Sequence, residues 1–170
     1  MSERTLPEPW LRGTLADLPS VHRAVLHALE LANEDLRNWC AQLTDEQLNQ
    51  RPAQVASVAF HLRHISRSLD RLLTYAEGAA LSEQQLAALK SEMNPGATSD
   101  DLFAELSAAL ATSATRIRSL SNADLEASRS VGRNKIPTTV GGLLVHIADH
   151  TQRHVGQAIT TAKIVLAKAL

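Results

Sequence analysis

Apolar residues return every three or four positions along four long stretches of this chain. From about Pro19 to Leu43 the repeating set is Val25, Leu26, Leu29, Ala32 and Leu36. From about Gln54 to Glu77 it is Val58, Leu62, Ile65, Leu69 and Leu72. After "TSDD" it is Leu102, Leu106, Leu110 and Ile117, ending near Leu120. A fourth stretch starts at Thr138 or Thr139 as N-cap and runs to near the C-terminus. Its apolar line is Leu144, Ile147, Thr151, Val155, Ala158 and Ala162. Such spacing gathers apolar side chains on one face of an α-helix. Capping boxes at "TDEQ" (44–47) and "SEQQ" (82–85) predict short helices between the long ones, the second ending near Met93. Gly78 and "NPG" at 94–96 are stop signals. Residues 121–137 are polar, carry Gly132 and Pro137, and read as loop. No stretch alternates at period two for long enough to predict a sheet. The predicted fold is all-α: an antiparallel four-helix bundle with short additional helices, in a single domain over 1–170.

Bulk properties narrow the function classes. The chain has 170 residues, 44% hydrophobic and 21% charged, with a formal net charge of −1. It is long enough to bury a full core without disulfides or a structural metal. No Lys/Arg run or nucleic-acid-binding motif is present, so nucleic acid is not an expected partner. With one cysteine, Cys40, no internal disulfide can form, which fits a cytoplasmic location. The start "MSERTLPEPW" is polar and does not read as a signal peptide. No apolar run is long enough to predict a membrane span.

Histidine placement carries the chemistry. Of seven histidines, His146, His150 and His154 recur every four residues in the fourth helical stretch. Two imidazoles so placed lie about 6 Å apart along the axis and can bend toward one ion. A second close pair, His61 and His64, sits in the second long stretch. His22 and His27 are five apart, share no face, and read as surface histidines. Measured from the apolar line at about 100° per residue, His154 lies roughly 60° off, His150 about 100° and His146 about 140°. His146 therefore faces solvent, and His150 with His154 is the better ligand pair. The same count puts His61 about 60° and His64 about 120° from its stripe, which by itself favours His61. Other metal and catalytic patterns are absent: no H-E-x-x-H, no Glu-x-x-His of the di-iron bundles, no cysteine-rich zinc fold, no G-x-S-x-G and no P-loop.

Two segments together resemble a known family. "DHTQRHVGQ" is similar to the H-x3-H-x-G-Q segment of the last core helix in DinB/YfiT-like proteins. "SVAFHLRHISRSLDRLLTYAEG" resembles the second helix of that family, where a Ser or Thr opens the turn and a His followed by an aliphatic residue comes seven positions later. Here these are Ser57, His64 and Ile65. The resemblance implies a four-helix bundle holding one divalent ion, Zn2+ or Ni2+, on His64, His150 and His154. It thus overrules the angular preference for His61, which is left to line the cleft or serve as a base. One departure is visible: Val155 follows the last ligand where the family often has Arg, while Arg153 precedes it.

The implied activity is that of a metal-dependent transferase which activates a low-molecular-weight thiol and joins it to an electrophile. Two alternatives stay open: a hydrolase using activated water, and a non-catalytic helical interaction protein. Asp149, Gln157 and Asp70 are candidates to orient the ligand imidazoles. Arg129, Arg133 and Lys135, in the loop before the fourth helix, could receive an anionic substrate. Gly141 and Gly142 suggest a close helix contact, within the chain or between subunits, and related proteins are often homodimers. Because ligand histidines must be neutral, the ion is expected to leave below about pH 6.

Overall fold

The computed structural model describes residues 6–167; the outermost parts of the expected 1–170 domain, 1–5 and 168–170, lie outside the described residues. The long helices are α1 (Ser20–Cys40), α3 (Val58–Ala76), α5 (Ser99–Ser119) and α6 (Val140–Ala167). Two short ones, α2 (Asp45–Asn49) and α4 (Glu83–Lys90), lie between them. Both capping boxes form as expected. Thr44 and Gln47 close one reciprocally, Ser82 and Gln85 the other. The Ser57 hydroxyl accepts the Phe60 N–H at 3.1 Å and opens α3. Thr139, rather than Thr138, caps α6: its hydroxyl accepts the Gly142 N–H at 3.0 Å. Gly78 ends α3 at φ 83°, a left-handed conformation that a side chain would strain.

Each long helix packs against two of the others. α1 lies against α6 and α5, and α3 lies against the same two. The apolar stripes meet in the middle. Leu36, Leu62, Ile65, Leu69, Leu106, Ile117, Leu144 and Ile147 are all essentially inaccessible. Each such side chain contributes about 1.5–3 kcal/mol by leaving water. Leu72 and Leu110 lie at the margin and are only half-buried.

Three expectations need correction. The 121–137 segment is not all loop: Ser128–Val131 (β1) and Ile136–Thr139 (β2) form an antiparallel hairpin with Ser128 opposite Thr139 and Val131 opposite Ile136. Its strands are too short, and too exposed on both faces, to leave an alternating signature. β-branched residues on the strands and Gly132 in the turn, at φ 71°, suit it to the pairing. His22 and His27 are not surface residues; they are 1% and 6% exposed. His22 sits on the same helical line as Val25 and Leu29, and its Nε2 meets the Leu120 carbonyl at 2.9 Å. His27 is covered by the segment before α1, where its Nε2 lies 3.0 Å from the Thr14 hydroxyl. Within the chain, the close approach at Gly141 is to the turn residue Leu125, not to another helix. The Gly141 N–H donates to the Leu125 carbonyl at 2.8 Å. A Cβ there would stand 3.2 Å from both Leu125 Cβ and that oxygen.

Candidate metal centre

Adjacency of α3 and α6 brings the two histidine pairs face to face. His64 Nε2 and His150 Nε2 are 2.9 Å apart. The His64 and His154 ring centroids are separated by 4.3 Å, and those of His150 and His154 by 4.6 Å. One nitrogen from each of His64, His150 and His154 lies within 4.8 Å of the other two. An ion bound at about 2.0–2.1 Å by each nitrogen needs them only a little over 3 Å apart, so small side-chain rotations are enough. The donor chemistry also fits. Two imidazole nitrogens aimed at each other need a proton between them, whereas a cation accepts a lone pair from each. An all-imidazole set suits zinc, nickel, copper or iron.

A buried carboxylate stands behind this group. His64 donates its Nδ1–H to Glu92 Oε2 at 2.7 Å, and Arg71 donates to Glu92 Oε1 at 2.7 Å. A carboxylate can only accept, so the contact fixes the proton on Nδ1 and leaves Nε2 facing His150. Glu92 is 3% exposed. Burial pushes its carboxyl up, but the hydrogen bonds from His64 and Arg71 outweigh that and hold it below the usual range. The turn after α4 places it there, and α3 grips that turn. Arg67 donates to the Ala88 carbonyl at 2.8 Å and to the Ser91 hydroxyl at 2.9 Å, and Arg63 donates to the Asn94 carbonyl. Sequence reasoning missed Glu92. The available signal was Arg63, Arg67 and Arg71 at four-residue intervals, a cationic line that needs acceptors opposite. Nothing in the chain says which acid supplies them.

The other candidates are placed as follows. His61 is buried, and its Nδ1 lies 3.0 Å from His154 Nδ1; it is not one of the three mutually close donors. His146 is half-exposed, 3.9 Å from Asp149. Asp149 faces solvent and takes a 2.5 Å bond from Arg153; among the described residues it bonds no imidazole of the group. Gln157 is exposed and lines a cleft of about 560 Å³ beside His61. Asp70 serves a different network, accepting from Arg116 and Gln85 at 2.7 Å each. Arg129, Arg133 and Lys135 lie on the hairpin, far from the histidines. Between Thr139 and His150 the axis of α6 advances about 16 Å. Arg129 is also held by the Ala76 carbonyl at 2.7 Å. These cations are therefore not poised to receive a substrate at the cluster.

Desolvation dominates the electrostatics. Burial, reinforced by neighbouring imidazoles, pushes His61, His150 and His154 down to about 4. Arg153 adds to the effect at His150 and His154. In the unfolded chain these groups return to about 6.5. Between those values the unfolded state binds protons that the folded state does not, so metal-free stability falls as pH falls. Above about pH 7 it is expected to be flat with respect to these groups. Denaturant titrations in chelator across pH 4–7.5 check this, and a flat profile below pH 6.5 would contradict the desolvated cluster.

These features define a mostly helical protein carrying a three-histidine group compatible with a metal site. The chain belongs to the DinB superfamily, whose sequence profile matches residues 28–158, a span that includes both histidine pairs and Glu92. No curated protein matches the chain. Among the described residues, no helix is long and apolar enough to cross a membrane.

Proposed function

We propose that this protein is a divalent-metal-dependent transferase that activates a low-molecular-weight thiol and joins its sulfur to an electrophile. In this reading His64, His150 and His154 hold Zn2+ or Ni2+ in a single-domain four-helix bundle. The observation that carries it is the convergence of three imidazole donors from two helices, with no fourth protein donor joining them among the described residues. Such a set leaves a coordination position open, as catalytic rather than structural zinc sites do. An ion there would supply Lewis acidity that brings the pKa of a thiol or a water toward neutrality.

The chain's own groups fit that division of labour. His64 is aimed by Glu92, and His150 and His154 are presented on successive turns of α6. The cleft beside His61, with Val55 and Ile164 on its walls, offers a place for an apolar electrophile. The thiol sulfur forms the new bond to carbon, the leaving group departs with its electron pair, and the thiol proton goes to solvent. No protein nucleophile competes for this role. Cys40 is the only cysteine and is fully buried, and burial pushes its thiol up to about 12.

The test is elemental analysis of untagged protein, followed by turnover of a generic chromogenic electrophile with a panel of small thiols. Turnover that requires both ion and thiol is expected. Turnover without thiol assigns a hydrolase, and no turnover with a fully loaded ion counts against an enzyme.

A further inference from the structure

His61 and His154 face each other through the same ring atom, Nδ1, at 3.0 Å. Neutral imidazole carries one N–H and one lone pair, so one ring donates and the other accepts. The two possibilities are not equivalent for metal binding. If His61 donates, the Nδ1 lone pair of His154 is used and its proton sits on Nε2, leaving no nitrogen for an ion. If His154 donates, its Nε2 lone pair is free. Resting on the three-histidine reading above, we propose that His61 is a positioning residue: it accepts the Nδ1–H of His154 and so holds that ligand in the one tautomer able to bind the ion.

Its surroundings suit the task. His61 is 4% exposed and packs edge-on against Phe60, with ring centroids 5.2 Å apart. A ring so held keeps the accepting nitrogen in place. Accepting at Nδ1 puts the proton of His61 on Nε2, the side of the ring away from His154. His61 also lines the cleft with Val55, Arg153, Gly156, Gln157 and Ile164. It therefore connects the ion's environment to that cleft. The entry to α3 beside it holds an unusual backbone: Ala53 and Gln54 both have positive φ, 50° and 68°, just before Val55. Non-glycine residues kept in that region concentrate at functional sites. The two helices thus use different outer partners, a carboxylate behind His64 and a neutral imidazole behind His154.

The experiment compares wild type with His61→Phe, which keeps a ring but cannot accept, and His61→Gln, which restores an acceptor oxygen. Zinc affinity is read by chelator competition, and the His154 tautomer by 15N NMR of metal-free protein at neutral pH. His61→Phe is expected to loosen zinc by about 10–100-fold. The glutamine variant should recover most of that loss, and wild-type His154 should carry its proton on Nδ1. Unchanged zinc affinity in His61→Phe, with only a shifted melting temperature in chelator, would reduce His61 to packing. A changed cobalt ligand-field spectrum at saturation would make it a ligand instead. Failure of wild type to take up zinc overturns the three-histidine reading. Even then the metal-free tautomer decides the hydrogen bond, because an Nε2–H on His154 overturns the proposal independently.

Discussion

His150→Ala is expected to leave the purified protein without bound ion, against about one per chain in the wild type. His150 is the cleanest of the three candidate ligands to remove. Among the described residues its ring contacts His64 at 2.9 Å and makes no other hydrogen bond, so its loss strands no buried partner. The effect extends to stability, because an ion that binds only the folded chain stabilises it by mass action. At about a thousand times the dissociation constant, zinc adds about 4 kcal/mol, which for a chain of this size is a rise of about 8–16 °C in melting temperature. The variant should show no such rise while unfolding normally in chelator. Thermal scans with and without zinc, together with elemental analysis, check both halves. A variant that keeps its ion and its zinc-induced shift would remove His150 from the site.

The second large effect is expected at Glu92, whose carboxylate accepts from both Arg71 and His64. Its side chain is 4% exposed and that of Arg71 is 11% exposed, at 2.7 Å. Glu92→Leu leaves the guanidinium buried without its counter-charge, a change that typically costs about 3–5 kcal/mol. It also frees the Nδ1 side of His64, for which a weakening of about 10–100-fold in zinc affinity is expected. Adding Arg71→Met separates the two roles. The double variant should regain most of the lost stability, since an apolar pair of similar volume is often tolerated in place of a buried ion pair. Its zinc affinity should stay low, because His64 still lacks its carboxylate. Denaturant unfolding in chelator reads the first quantity and chelator competition the second. Full recovery of affinity in the double variant would mean that Glu92 does not orient a ligand.

Much of the helical scaffold was legible in the chain because it depends on local signals. Val58, Leu62, Ile65 and Leu69 mark their helix face without reference to anything else, and Ser57, Thr44 and Ser82 announce helix starts through side-chain oxygens near their own backbone. The angular ranking of the histidines on α6 also followed from a single helix, and His146 is the most exposed of the three. Legibility failed wherever burial came from a remote segment. His27 reads as exposed until the stretch before α1 folds over it. The β1–β2 hairpin has strands too short to carry a periodic pattern. His22 is a different kind of miss, since its spacing from Val25 and Leu29 already placed it on the apolar line.

At the candidate centre the same division holds. Spacing along α6 was enough to bring His150 and His154 to one side of one helix, because 3.6 residues per turn is a property of the backbone alone. The choice between His61 and His64 could not be made by counting. It depends on how α3 lies against α6, which puts His64 among the donors and His61 behind one of them. Glu92 belongs wholly to the tertiary structure, since it reaches His64 only because α4 turns back and the α3 arginines hold that turn. Local sequence therefore determined the helices and the faces that carry imidazoles. Packing between distant segments decided which rings meet, which carboxylate stands behind them and how dry they are, because those depend on distances that no run of neighbouring residues contains.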